Sequence, residues 1–370
     1  MKKLILSATL LLSIASFAQK DELKTLKKIY SKTTISDKDL VEYKSASEAL
    51  EAVATEESDK VYAKLYKVSY PVLELFSKGE KPAVQDQQKV YTDSFIPQYI
   101  ATVDETIEYE RKSGKKVHTD KLIEDKNRFR QGISSFAMTL NGSSKFKEAS
   151  EVFYSLYKLD PIGEGKSLQN AAILATQAQD YVLAQKLYEE FYESDYFKNG
   201  TVYYAVSKAS GKEEDLGSKE LRTKYVGMGL YEKPRDEKVS SSKPEILKIL
   251  SILYAQNNIN DKEKFDRVIT EARALLPDDK DLLETQFNLY FNQGYAFVKD
   301  DMKLVDEINN STADKKKYDA LMSKRKEQFT KGLPFFEKAY KLKPSDENTK
   351  NILKITYEIV GQPEKAKTIQ

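Results

Sequence analysis

Several short stretches carry residue types that could do chemistry, and each lacks the companion its chemistry needs. Gly165-Lys166-Ser167 copies the end of a phosphate-binding loop, in which backbone N–H groups cradle phosphates and a lysine reaches them. That loop also requires a glycine where Asp160 stands, and a strand before it where the pattern here is helical. Ser240-x-x-Lys243 and Ser323-x-x-Lys326 fit the serine-lysine spacing of acyl-transferring enzymes, yet no Ser-Asp-Asn or Lys-Thr-Gly partner occurs. His118 is the single histidine, so a serine-histidine triad or histidine-based zinc ligation would rest on one residue in a lysine-flanked turn, expected as exposed and inert. No calcium loop is present, and Lys315-Lys316-Lys317 and Lys324-Arg325-Lys326 are diluted by Asp314, Asp319 and Glu327. They read as a wet helix face more than as a nucleic-acid patch. The expectation is no catalytic residue, no cofactor and no metal.

Met1 to Ala18 reads as a secretory signal peptide: Lys2-Lys3, an apolar run from Leu4 to Phe17, and Ser16-Phe17-Ala18 as cleavage site. The run is short for a span, which needs about 20 apolar residues. With no cysteine there is neither a disulfide nor a lipid-accepting residue, so the product is expected to be soluble, periplasmic or secreted, and not a lipoprotein. Removing Lys2 and Lys3 from the 60 basic residues leaves them equal to the 58 acidic ones. A neutral mature chain argues against a polyanion or membrane-surface binder.

The elements that remain are helices. Glycine and proline are few, charged residues make up 32% and hydrophobic ones 40%, and strand-like alternation is nearly absent. Gly332, Phe336, Ala339 and Tyr340 line one helix face; Pro344 ends that helix, Ser345 can cap the next, and Leu353, Tyr357 and Val360 supply the next stripe before Gly361 and Pro363. One such hairpin cannot bury its own stripe, so the chain is expected as an all-α solenoid of antiparallel helix pairs. Phe129, Ile133, Phe136 and Leu140 form an earlier stripe, followed by Phe146, Ala149, Phe153, Leu156 and Pro161, then Ala172, Ala175, Tyr181, Ala184, Tyr188 and Phe191. Most of the 24 tyrosines and 16 phenylalanines fall on such stripes and are expected to pack, leaving a minority for a groove. The segment from Val84 to Arg111 reads as a helix kinked or broken at Pro97.

Phe336, Ala339 and Pro344, then Leu353, Tyr357, Gly361 and Ala366, resemble the tetratricopeptide repeat, with Gly332 where that family usually has alanine. Residues 1–18 are then the signal peptide, 19–195 an N-terminal repeat region, partly degenerate, 196–243 an irregular helical connector, and 244–370 a C-terminal repeat region. Helices are expected at 201–209 and 218–230 within the connector, and 239–243 as the break between halves. Pro277 and Pro344 lie almost two 34-residue repeats apart, so the first helix of that repeat is expected to be lengthened into a charged insertion at about 299–328, pinned by Tyr318 and Leu321.

The leader, glycine-bearing centre and interrupted late repeat together resemble exported tetratricopeptide-repeat proteins of the Bacteroidota. The resemblance implies a protein or peptide partner on the concave face lined by first helices, where Lys166, Gln169, Asn170, Asn292, Asn348 and Asn351 are the candidate contacts. The family's carboxylate clamp needs lysine and asparagine on successive first helices. Here Lys166 with Asn170, and Asn348 with Asn351, are what stands for it. Two other readings stay open: an enzyme or enzyme subunit using carboxylates and lysines of the insertion, and a homo-oligomer joined through it.

Overall fold

The computed structural model describes residues 20–369, so the leader expected over 1–18 lies outside the described residues. The fold is all-α, built from consecutive helices packed in pairs, with one small sheet. Two compact units divide it. The first runs to Leu187 and takes in Ser194–Tyr196; the second holds Tyr188–Glu193 and everything from Phe197 on.

In the first unit, α1 (residues 20–30), α2 (Asp37–Val53), α3 (Glu57–Ser77), α4 (Val84–Val90) and α5 (Phe95–Ser113) precede α6 (Thr119–Gly142), α7 (Phe146–Leu159) and α8 (Gly165–Gln177). Ser36 starts α2 through a capping box with Asp39. Between Val90 and Phe95 the chain turns, and Pro97 sits in the first turn of α5, where its missing N–H costs nothing. The stripe Phe129, Ile133, Phe136 and Leu140 is buried, as are Ala149, Phe153 and Leu156 of the next helix. Ser150, also buried, donates its hydroxyl to the Ala171 carbonyl at 2.8 Å and so ties α7 to α8.

A helix, α9 (Tyr181–Glu193), and a short one, α10 (Asp195–Asn199), lead into the second unit. There the expected helical connector is corrected. Residues 201–209 do not form a helix: β1 (Thr201–Ser207) is the middle strand of an antiparallel sheet with β2 (Glu213–Asp215) and β3 (Tyr231–Lys238), and only α11 (Lys219–Gly227) is helical. Thr201-Val202-Tyr203-Tyr204 is β-branched and aromatic, and Gly211 and Gly217 take positive φ in the turns. The charged strand β3 pairs through ions instead of apolar alternation. Its Arg235 reaches Glu213 at 2.6 Å, bonds Glu237, and lies 4.4 Å over the Tyr204 ring. The break also falls earlier than 239–243, because the end of α9 packs with the second unit: Glu189 pairs with Lys264 at 2.9 Å and Phe191 meets Phe197 edge-on at 5.4 Å.

After a 3-10 turn (Val239–Ser242) come α12 (Lys243–Gln256), α13 (Lys262–Leu275), α14 (Lys280–Val298), α15 (Asp301–Asn309), α16 (Lys315–Leu342), α17 (Glu347–Val360) and α18 (Pro363–Thr368). Asp261, Asp279, Asp314 and Asp346 cap α13, α14, α16 and α17 by accepting a backbone N–H three residues on. The last helix pair is therefore capped by Asp346 and not by Ser345. Gly361 ends α17 in the left-handed conformation.

The insertion lengthens the second helix more than the first. α14 stops at Val298, and α16 begins at Lys315 and runs 28 residues through Phe329. α14 packs against α16 at a pair of glycines. A Cβ on Gly332 would stand 3.1 Å from the Gly294 carbonyl oxygen, a tight contact, and one on Gly294 would stand 2.8 Å from the Phe336 ring, so alanine at 294 would force the ring to shift. α15 is held by Leu304 and Ile308, both buried, and by Arg325, which gives two N–H···O bonds of 2.7 Å to Asp301. Tyr318 and Leu321 are only half-buried. Arg325→Gln should weaken docking of α15 by about 1 kcal/mol, the size of a well-formed, partly exposed pair. Hydrogen exchange would show it as faster exchange of the α15 amides, with α17 unchanged.

Candidate partner groove

In the second unit a groove of about 780 Å³ opens between the end of α12, the start of α13, one face of α14 and the C-terminal half of α16. Each wall is placed by a local device. Asn258, at φ 44, turns the chain after α12, and the Asp261 cap starts α13 immediately below it. On α14, Thr285, Asn288, Leu289, Asn292 and Ala296 recur at three- and four-residue spacing, so they share a face that looks into the groove. Phe335 of α16 stacks on Phe297 of α14 at 6.1 Å and 19° and forms an apolar end.

Asp266 anchors one side. It accepts a 2.5 Å bond from the Tyr290 hydroxyl and a 3.4 Å bond from Lys338, whose ammonium lies 4.7 Å over the Tyr290 ring. Burial, then the bond to Asp266, pushes the Tyr290 hydroxyl up to about 12, so it stays a donor. Gln286 donates to Tyr290 at 3.2 Å and to Thr270 at 3.1 Å, so Asp266 is backed by a buried hydrogen-bond network. Asn292 is exposed on the opposite wall, and Asn258 accepts from Lys262 at 2.8 Å. Carboxamides carry both donors and an acceptor, so such a surface can pair with the main chain of a bound segment, while Phe297, Phe335 and Leu289 receive apolar side chains.

Of the candidate contacts read from sequence, Asn292 alone lines this groove. Asn348 and Asn351 are exposed on α17. Lys166, Gln169 and Asn170 belong to the first unit, on α8, with Lys166 exposed and the other two half-buried. The residues that sequence reasoning missed are Asn258, Asn288, Gln293, Phe297 and Phe335. Asn288 was within reach, standing four residues before Asn292 on the same face; the others depend on which helices meet. Within the insertion, Asp306, Glu307, Asp314, Asp319 and Glu327 are exposed, and the half-buried Asp301 is taken by Arg325. Among the described residues no three His, Asp or Glu side chains gather as a metal site.

His118 is not exposed. It is 5% accessible, shares a 2.7 Å hydrogen bond with the Tyr66 hydroxyl through Nε2, and lies edge-on to Tyr30, Tyr62 and Tyr66. The lysines beside it in sequence do not determine its surroundings; aromatic rings from α1 and α3 do. Burial first, with Lys27 and Lys121 adding to it against Glu110 and Asp125, lowers it to about 4. A folded-state value below the unfolded 6.5 means that the unfolded chain takes up the proton first. Stability is therefore complete above about 6.5 and declines as pH falls to about 4, by about 3 kcal/mol. Urea unfolding at pH 7 and pH 4.5 should show this loss, and His118→Phe should shrink it.

No family model matches the sequence, and no curated protein matches it. Among solved structures, a tetratricopeptide repeat protein from Parabacteroides merdae ATCC 43184 is similar: 14% identical, over 92% of this chain and 98% of that one, with a TM-score of 0.24. Values this low leave the fold to be read from this chain's own helices. No helix among the described residues is long and apolar enough to cross a membrane.

Proposed function

We propose that this chain is a non-catalytic scaffold that holds an extended segment of a partner protein in the groove between α12, α13, α14 and α16. The carrying observation is the α14 face, where Asn288 and Asn292 repeat at one-turn spacing beside Leu289 and the Phe297–Phe335 stack. The groove's cations and carboxylates balance: Lys262 and Lys338 against Glu263 and Asp266. A neutral, amide-lined and partly aromatic surface suits a peptide main chain better than a polyanion. Of the six contacts read from sequence, Asn292 is the one the proposal keeps. Residues 1–18 have the form of a secretory signal, which supports a site of action in the cell envelope, periplasmic or secreted.

The test uses the mature chain carrying a photo-crosslinking residue in place of Asn292. One discrete adduct should form in periplasmic extract, and its formation at an exposed α17 position, Asn351, should be absent. Asn288→Ala/Phe335→Glu in the Asn292-labelled chain should reduce the adduct at least tenfold. Equal labelling at both positions, or an adduct indifferent to the double substitution, would sink the reading. Fractionation for residues 1–18 should put the protein outside the cytoplasm.

A further inference from the structure

The first unit holds a recess of about 400 Å³ that has no part in the groove above. It lies between the C-terminal half of α3, the loop after α1 and one face of α6. Ser69, 1% accessible, is on its wall, and the Tyr43 hydroxyl behind it is fully buried. The two hydroxyls are near enough to interact, and neither has another partner among the described residues. Buried polar atoms in folded proteins are nearly always paired, and a hydroxyl on a recess wall whose one neighbour is a second hydroxyl keeps hydrogen-bonding capacity for a polar atom or a water from outside the chain.

The charges around it are unequally occupied. Lys32 is taken by Asp39 at 2.5 Å and Lys121 by Asp125 at 3.0 Å, and Asp125 also accepts from Tyr30 at 2.8 Å. Arg128 is not so held. Its guanidinium lies 4.2 Å over the Phe76 ring and makes no ion pair among the described residues. Stacking on a ring fixes the plane of the guanidinium and leaves its N–H edge available for a carboxylate. With Lys32 and Lys121 each closed by a carboxylate, Arg128 is the cation of the recess left to meet an anionic group, while Glu80 is exposed at the rim. Val72 and Leu73 are buried apolar wall. The size falls within the range of small-molecule sites.

We propose that this recess binds a small monocarboxylate with an apolar body. The carboxylate lies on Arg128, the body lies against Val72, Leu73 and Phe76, and the Ser69 hydroxyl bonds a polar atom or a trapped water at the inner end.

Ligand-observed saturation-transfer NMR on the mature chain tests this, with 3-phenylpropionate and its neutral amide as probes. The acid should receive transfer and bind at least fivefold more tightly than the amide. Arg128→Gln should bring the acid down to the level of the amide, Arg128→Lys should fall between, and Ser69→Ala should weaken it. Lys338→Gln, in the second unit, should leave binding unchanged. Arg128 is exposed, so both substitutions there should keep the helical circular dichroism, which is recorded alongside. Equal binding of acid and amide, no transfer to the acid, or an Arg128→Gln chain that binds like the parent would overturn the proposal. None of these outcomes touches the groove of the second unit, whose crosslinking test stands separately.

Discussion

Glu110→Ala should destabilise the first unit by about 3–5 kcal/mol, the cost of leaving several buried donors without their acceptor. Glu110 is fully buried near the end of α5. Its carboxylate accepts from the His118 and Thr119 backbone N–H groups, each at 2.9 Å, from the Thr119 hydroxyl at 2.5 Å and from Tyr62 at 3.2 Å. It therefore caps the start of α6 from another helix and fixes the turn that carries His118. Burial alone would raise its pKa, but the donors outweigh burial and hold it below the ordinary glutamate value. Its contribution to stability is present above the unfolded value and disappears as pH falls through the lowered one. At pH 7 the unfolding transition of this unit should drop by about 10 °C. Glu110→Gln, which keeps one acceptor but turns an amide N–H₂ toward donors, should recover less than half of the loss. A change below about 1 kcal/mol in Glu110→Ala would show that the network carries no net stability.

Gly165→Ala should cost the same unit about 3 kcal/mol. The added Cβ would stand 2.0 Å from the Tyr196 Cβ and 2.4 Å from its Cγ, and both residues belong to the first unit. A ring tip can swing away, whereas a Cβ is fixed to its backbone, so α8 or α10 would have to move. Gly142 provides the control. Nothing lies within 4 Å of a Cβ there, and Gly142→Ala should be neutral or stabilising by about 0.5 kcal/mol, as expected of alanine near a helix end. Paired thermal melts of the two variants read the difference directly. The same segment tempted a phosphate-loop reading; Gly165 is needed for close packing against Tyr196.

Local chemistry was written plainly enough to read the helices. Apolar stripes at 3.6-residue spacing, with proline and glycine between, gave the positions of α6, α7, α8, α12, α13 and α17, because each stripe has to be buried by a neighbour whatever the rest of the chain does. Gly332 was legible as a close-approach residue, though its need for Gly294 on the facing helix was not. The sheet at 201–238 was not legible. Its third strand, Tyr231–Lys238, is almost wholly charged and is held by cross-strand partners such as Glu213 that no local pattern reveals.

The candidate site divides in the same way. Asn292 follows from helix periodicity alone, since its place on a first-helix face depends only on α14. The rest of the groove arises from the end of α12 and a 28-residue α16 crossing α14 at two glycines, and that crossing is a matter of shape between distant residues. The buried state of His118 has the same cause. Its sequence neighbours are lysines, and its true neighbours are tyrosines brought from α1 and α3. The amino-acid order by itself determined which segments coil and which faces must be hidden, because those follow from turns of one helix. Only the tertiary structure decided which polar groups end up facing each other, because that depends on how faces far apart in the chain come together.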